Sequence, residues 1–481
     1  MTMHRPELHI APENGIIEAP AGVLYDGTAW HVFYQRRTEP NSPSRWGHMY
    51  SEDLPFDWLE CDDALAPAGG EIGLRAGSVI AVDGNVNLYF TSVTSTGTTI
   101  RLAQIEHFDD TCDVSDDVDS VDHRVLRKGQ LVGDSPEFKR FRSPLVIPDW
   151  VDSQQRGDGY EGWLMLAVAG DAEHPQLIVL RSPDGISWEV SGKLEFEGDL
   201  GTEVTASDVV VSPRIVRLKD EVDEKIYDVL LVTVETNGKE YAGYVVGQLH
   251  GTTFSVDVPF QRLDYGHDFT RPRSTTYTPS VIDPDTRYDQ ALLFGWLNGT
   301  GRRDDVSNHR SWRDAGWANA LSLPRVLTLQ GGKIFQTPTP GLPDVVADSK
   351  RARMWTGRLE VPAGSSVTVN LLDSSGQPAA TVTHKGDELI LDRSFSASQG
   401  DAKLPTSPDS PQDRPAVAHL DEGDSDSLTI IVDGSTVEVF ADSGQVAMAS
   451  RVYFEGGCSG ITTNVEGDAD ILNEWHVHHD D

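Results

Sequence analysis

From the N-terminus to about Pro340, short apolar runs alternate with polar positions and are broken every few residues by turn formers, a pattern that predicts strands rather than helices. Val79-Ile80-Ala81-Val82 is followed by Leu88-Tyr89-Phe90, Trp163 to Val168 by Leu177 to Leu180, and Val209 to Val211 by Val229 to Val234. Tyr244-Val245-Val246 and Leu292-Leu293-Phe294 continue the series, and turns such as Pro183-Asp184-Gly185 and Asn237-Gly238 punctuate it. The clearest hairpin opens the chain, running from Pro12 through a turn at Asp26-Gly27 and back along Trp30-His31-Val32-Phe33-Tyr34 to Gln35. Groups of short strands recurring over some tens of residues suggest a β-propeller, although periodicity alone leaves a large sandwich or barrel open.

Beyond Leu342 the pattern changes. A polar linker over 343–354 leads to a second β-rich unit over 355–481, with strands expected near Ser366 to Leu372, Leu389 to Leu391, Leu428 to Val432, Val437 to Phe440 and Ala447 to Phe454. Their alternation and length predict a sandwich. Ser, Asp, Pro and Gly dominate 396–427, which reads as a mobile acidic loop. The whole is therefore expected to be all-β in two domains, 1–342 and 355–481.

Charge narrows the partners. The 481 residues carry 76 acidic and 39 basic side chains, a formal charge of −37 spread along the whole length. Such a surface repels nucleic acid and anionic lipid, and it suits a very salty cytoplasm where screening relieves self-repulsion. The opening MTMHRPELHI lacks the profile of a secretory signal and no apolar run could cross a bilayer, so a cytoplasmic location is expected. Cys61, Cys112 and Cys458 are too scattered to imply a disulfide framework or a zinc site. His476-Val477-His478-His479 shows no metal-ligand spacing, and no metal or cofactor is expected.

Candidate chemistry enters with an ordered set of motifs. They are Glu18-Ala19-Pro20-Ala21-Gly22 and Tyr34-Gln35; Trp46-Gly47-His48; Ser51-Glu52-Asp53-Leu54 before Trp58; Leu65-Ala66-Pro67; and Ala76-Gly77-Ser78. Further on come Asp264-Tyr265-Gly266-His267-Asp268-Phe269, Gly295-Trp296-Leu297, the run from Trp317 to Leu329, Ser435 to Phe440, and Ser450-Arg451-Val452-Tyr453. In this order and spacing the chain resembles glycoside hydrolase family 32, the invertases, levanases and other β-fructosidases. The resemblance implies a five-bladed β-propeller followed by a β-sandwich, with the catalytic groups on the innermost strands.

Retaining glycoside hydrolysis needs a nucleophilic carboxylate and an acid/base carboxyl about 5 to 5.5 Å apart. The resemblance places the nucleophile at Ala19 and a further Asp, which binds sugar hydroxyls, at Ser143 within Arg142-Ser143-Pro144. It places the acid/base at Val211 within Val211-Ser212-Pro213-Arg214. None of the three is a carboxylate. Three neighbours are candidate substitutes: Glu18, Glu203 and Asp208. Strand alternation turns Glu18 to the opposite face from Ala19 unless a bulge intervenes, while Asp208 and Glu203 lie roughly 10 and 26 Å along an extended chain from Val211.

The resemblance also implies sugar contacts at Gln35, Trp46, Gly77, Ser78 and Arg142. Trp46 is open to either ring stacking or packing, whereas packing is the expectation for Trp296 and Trp317. Arg142 is open to holding a hydroxyl or an anion in the axial pocket, or to pairing with Asp264 or Asp268. The expected protein binds a sucrose- or fructan-type sugar, a small carbohydrate ligand, with hydrolysis lost or impaired. Its alternatives are an active fructosidase using relocated carboxylates, and an assembly role with an active paralogue or in a homo-oligomer.

Overall fold

The computed structural model describes residues 4–479 except 83, 107, 109–113, 116, 118, 150–161, 205–207, 237–238, 279–280, 284, 299–305, 395–413 and 422–425. Five groups of strands follow one another up to Pro338, each opening on a strand that will matter below: β1 (Gly15–Tyr25), β3 (Glu71–Val82), β4 (Arg142–Pro148), β5 (Val209–Lys219) and β6 (Phe269–Tyr277). The predicted opening hairpin is β1 paired with β2 (Ala29–Arg37), turning at Asp26, whose carboxylate accepts the amides of Thr28 and Ala29. The Asn237-Gly238 turn lies outside the described residues.

The second to fourth groups are sheets of four, four and five strands, and the first and fifth merge into one sheet. That merger joins the two ends of the unit. Strand β1 runs parallel to β6, with Val23, Leu24 and Tyr25 opposite Thr275, Thr276 and Tyr277, and Gly15 and Ile16 pair with Trp317 and Ala318. Hydrogen bonds carry the circuit through the remaining groups. Ala76 N–H donates to Gln35, Val146 N–H to Ser78 Oγ, Arg217 to the Pro148 carbonyl, and Arg273 to Ser212 Oγ. Apolar clusters fill the spaces between successive groups, for example Tyr89, Phe141 and Met165, then Leu166, Leu230 and Phe254.

Past Pro338 two five-stranded antiparallel sheets face each other over a core built on Trp355, Val369, Leu391, Ile430 and Met448. Strand Ser366–Leu372 has the bounds that its alternation predicts. Two expectations need correction. The stretch taken as a polar linker folds as a helix over Leu342–Asp348 and the start of strand Ala352–Glu360, because Leu342, Val346 and Ala352 are apolar at core positions. Within the expected acidic loop, Ala416–His419 is a strand paired with Glu388–Asp392, while 396–413 lies outside the described residues. Cys61 is disulfide-bonded, contrary to the cysteine reading; Cys112 lies outside the described residues and Cys458 is a free thiol.

Candidate functional site

Each group-opening strand carries an irregularity at the same end. Register shifts fall between Ile17 and Ala19 and between Pro20 and Gly22 in β1, and between Arg75 and Ser78 in β3. They fall opposite Ser143 in β4, between Val211 and Arg214 in β5, and between Thr270 and Arg273 in β6. Three of these bulges share a local cause. Ser143, Ser212 and Arg271 have φ of 54, 56 and 49°, and each precedes a proline. A bulge adds a residue and changes which side chains reach the inner face, so alternation counted through it fails.

This corrects the placement of Glu18. The bulge beside it brings its carboxylate to Gln35, whose Nε2 donates to it, and to Arg37 at 2.5 Å. Gln35 in turn accepts the Ala76 amide with its Oε1, 3.0 Å away. Glu18 also lies close enough to Arg271 to help raise the guanidinium's pKa against burial, although Glu240 and Glu235 contribute more. Ala19 itself is 1% exposed and packs with Trp46 and Ala76. Ser143 donates its amide to Thr91 Oγ1, and Val211 is half-buried.

The other two candidate carboxylates lie elsewhere. Glu203 is exposed beside Arg262, 4.0 Å away. Asp208 lines a separate cavity of about 690 Å³ between the third and fourth groups, with Leu177, Lys193, Phe196 and Phe260.

Among the expected sugar contacts, Trp46 is fully buried and donates its Nε1–H to the Arg75 carbonyl, which makes it a packing residue. Ser78 is buried and spent on Val146. Gly77 is where chains meet: a Cβ there would sit 1.8 Å from the Tyr89 carbonyl oxygen. Arg142 pairs with neither Asp264 nor Asp268. Those two bind Arg325 and Arg393, whereas Arg142 donates to the carbonyls of Arg140, Gly170 and Asp171. Trp296 is half-buried, donates to the Ile17 carbonyl, and has the Arg271 guanidinium over its ring at 5.4 Å. Trp317 is buried under Arg451.

Two residues that sequence reasoning passed over occupy the centre. Arg214 is 1% exposed and donates to the carbonyls of Ser143 at 3.1 Å, Pro213 at 2.7 Å and Gly77 at 3.3 Å, so it ties β3, β4 and β5 together. Arg273 is 4% exposed and donates to Ser212 Oγ and to the carbonyls of Arg271 and Pro272. Burial pulls Arg214 down to about 9, and burial together with Arg214 and Arg271 pulls Arg273 well below its ordinary value. These directions record what holding charge there costs; a guanidinium remains protonated at neutral pH. A readable signal existed: Arg-Ser-Pro at 142–144, Ser-Pro-Arg at 212–214 and Arg-Pro-Arg at 271–273 recur at one place in successive groups.

Comparison with known proteins places this arrangement. Residues 9–338 match the N-terminal domain of glycosyl hydrolases family 32 and residues 349–479 match its C-terminal domain. The chain is 25% identical to a sucrose-6-phosphate hydrolase of Bacillus subtilis, covering 97% of this chain and 93% of that one. It is 24% identical to a levanase of the same organism over 95% of this chain and 68% of the levanase. A sucrose-6-phosphate hydrolase from Lactobacillus gasseri superposes with a TM-score of 0.75 at 18% identity, covering all of this chain and 94% of the other. A Bombyx mori β-fructofuranosidase, in a form with sucrose bound, does so with 0.71 at 21%, over 99% and 94%. With both domain models matched in order along almost its whole length, this chain belongs to glycosyl hydrolase family 32.

Proposed function

We propose that this protein binds a sucrose- or fructan-type sugar at the axial end of a five-bladed propeller and does not hydrolyse it. The five strand groups, closed on themselves through β1 and β6, support the propeller reading. One observation carries the loss of chemistry: the axial ends of β1, β4 and β5 present Ala19, Ser143 and Val211 where cleavage needs carboxylates, and Arg214 and Arg273 fill the space beneath. Serine donates or accepts a hydrogen bond but brings no negative charge to an oxocarbenium-like transition state. Glu18 does reach this end, which favours one competing reading, an active fructosidase with a relocated carboxylate. Its engagement by Gln35 and Arg37 argues against that role, and Glu203 and Asp208 are not beside it.

The test is fructose release from sucrose, sucrose 6-phosphate and inulin by the full chain in concentrated potassium chloride, alongside calorimetric titration of each. Binding without release is the expected result. Release that Glu18→Gln abolishes would return the protein to the working hydrolases. A cytoplasmic, high-salt setting and pairing with an active paralogue or a second copy complete the proposal. They rest on the acidic composition and on the family membership of a chain without the expected carboxylates.

A further inference from the structure

Residues 4–11 cross the seam between the two domains and touch both. On the sandwich side the amides of Glu7, Leu8 and His9 donate to the Asp433 carboxylate at 2.8, 2.8 and 3.0 Å. The chain passes so near Gly434 that a Cβ there would sit 2.7 Å from the His4 carbonyl oxygen. On the side of the first domain the Ile10 carbonyl accepts the Leu321 amide, Leu8 packs with Leu323, and Ala11 packs with Trp317 and Ala320. Strand β1 follows directly, beginning at Gly15.

His9 pins this strap. Its ring is fully buried between two carboxylates that are fully buried themselves, with Nδ1 2.8 Å from Asp433 Oδ2 and Nε2 3.1 Å from Glu438 Oε1. An ionised carboxylate only accepts, so both ring nitrogens have to donate, and the species that does so is the imidazolium. A neutral ring has one N–H and would turn a bare lone pair on the other carboxylate. The Thr436 hydroxyl, 3.1 Å from Nδ1, gives no relief because it is donated to the Asp433 carbonyl at 2.7 Å.

The surrounding charges act in the same direction. Asp433, Glu438 and Asp264 are buried anions answered by His9 and by Arg325, which binds the last two. Arg451 on the adjacent strand donates to Ser435, and Arg351 pairs with Glu7 at 3.3 Å. Without the proton of His9 a dry seam keeps its carboxylates and loses one of the cations between them. Burial holds His4, at the other end of the strap, below 6.5, so His4 is already neutral where His9 titrates.

We propose that His9 is a latch worked by pH: when its imidazolium gives up its proton to solvent, residues 4–11 leave the seam as one unit while both domains stay folded. Opening carries the neutral ring into water and lets water hydrate Asp433 and Glu438 in its place. The freed strap bares the apolar slot of Leu323, Ile431 and Phe440 and removes the tether in front of β1. This is a local opening, distinct from loss of the fold. His9 holds its proton more tightly closed than open, so the open population grows about tenfold per pH unit between 6.5 and the closed-state midpoint and is level on either side.

The test is amide deuterium exchange of the full chain in potassium chloride brine, from about pH 6 to about pH 10, read by mass spectrometry and corrected for intrinsic exchange. The amides of Glu7, Leu8 and His9 should exchange well ahead of the strands Trp163–Ala169 and Ser366–Leu372, and their protection should fall about tenfold per pH unit before levelling. Exchange no faster than in those strands would mean that the strap leaves only when the whole protein unfolds. Protection independent of pH would mean that His9 does not hold it, and either result overturns the latch. His9→Gln, neutral throughout, should keep the fast exchange at every pH and lose the slope; a surviving slope overturns the latch as well. Should His9→Gln fail to fold, exchange of the His9 Cε1 proton in the unaltered protein gives the ring's own midpoint. Protection of the strap is to level at that pH, and levelling more than about one pH unit away sinks the proposal.

Discussion

Two sets of buried arginines, built on the same unit, have opposite electrostatics. Where the two domains meet, Arg325 is fully buried between Asp264 at 2.8 Å and Glu438 at 2.7 Å, and Glu438 and Asp433 also flank the buried His9 at 3.1 and 2.8 Å. Asp268 nearby binds Arg393 and accepts the Arg451 amide. Arg325, Arg393 and His9 each have an anion of the chain there, whereas Arg451, buried over Trp317, donates to the Ser435 carbonyl and hydroxyl. At the axial end Arg214 and Arg273 are as deeply buried and have carbonyls instead. Arg325, Arg393 and His9 are neutralised where they sit, while Arg214 and Arg273, like Arg451, rely on neutral acceptors.

Breaking the paired set should cost most. Glu438→Gln leaves Arg325 and His9 facing a neutral amide in a dry interface and should lower stability by about 3–5 kcal/mol, read from urea unfolding in brine. If Glu438→Gln cost no more than Arg273→Met, the contrast between the two sets would fail. Next in size is Gly77→Ala, whose new Cβ would strike the Tyr89 carbonyl and disturb the strand that Arg214 holds. A loss of about 1–3 kcal/mol is expected in the same measurement.

The interface also has a pH signature. Burial works against charge on His9, yet the hydrogen bonds its ring donates to Asp433 and Glu438 outweigh it and raise the imidazole above 6.5. Burial likewise opposes ionisation of Asp433 and Glu438, but His9 for the first, and Arg325 and His9 for the second, hold them below 3.8 and 4.5. The stability from His9 is therefore complete below pH 6.5 and lost as pH rises through its higher folded value. That from the carboxylates is complete above about pH 4.5 and lost as pH falls through their lower folded values. Melting temperature should be highest between these limits, and His9→Gln should flatten the fall on the alkaline side. The smallest effect belongs to Glu203→Gln, an exposed position beside Arg262. It should change stability by no more than about 0.5 kcal/mol and leave the titrations of sucrose and inulin unchanged.

The strands were legible in the sequence because alternation survives wherever a sheet has one wet and one dry face. The sandwich strand Ser366–Leu372 is the clearest instance; the hairpin of β1 and β2, buried on both faces, was legible instead from its apolar runs and the Asp26-Gly27 turn between them. Legibility stopped where the backbone departs from two-residue repetition. Counting alternate positions sends Glu18 outward, and the bulge next to it brings it in; no count predicts that. The positive φ of Ser143, Ser212 and Arg271 turns the chain just where the candidate chemistry sits, so the candidate positions were the least periodic. Trp46 could not be assigned to packing before its Nε1 partner on the neighbouring sheet was known. Arg214 and Arg273 each lie two residues beyond a positive-φ position, where the two-residue repeat no longer says which side chain turns inward.

The parallel seam between β1 and β6 has a consequence for how the protein is made. Val23 waits for a partner, Thr275, that is synthesised roughly 250 residues later, so the first strand leaves the ribosome with one edge open and keeps it open through most of translation. Contacts this distant in sequence are slow to form and leave a strand edge available to other chains meanwhile. Nascent chains stalled before Phe269 should therefore aggregate more readily than chains released just after Pro338.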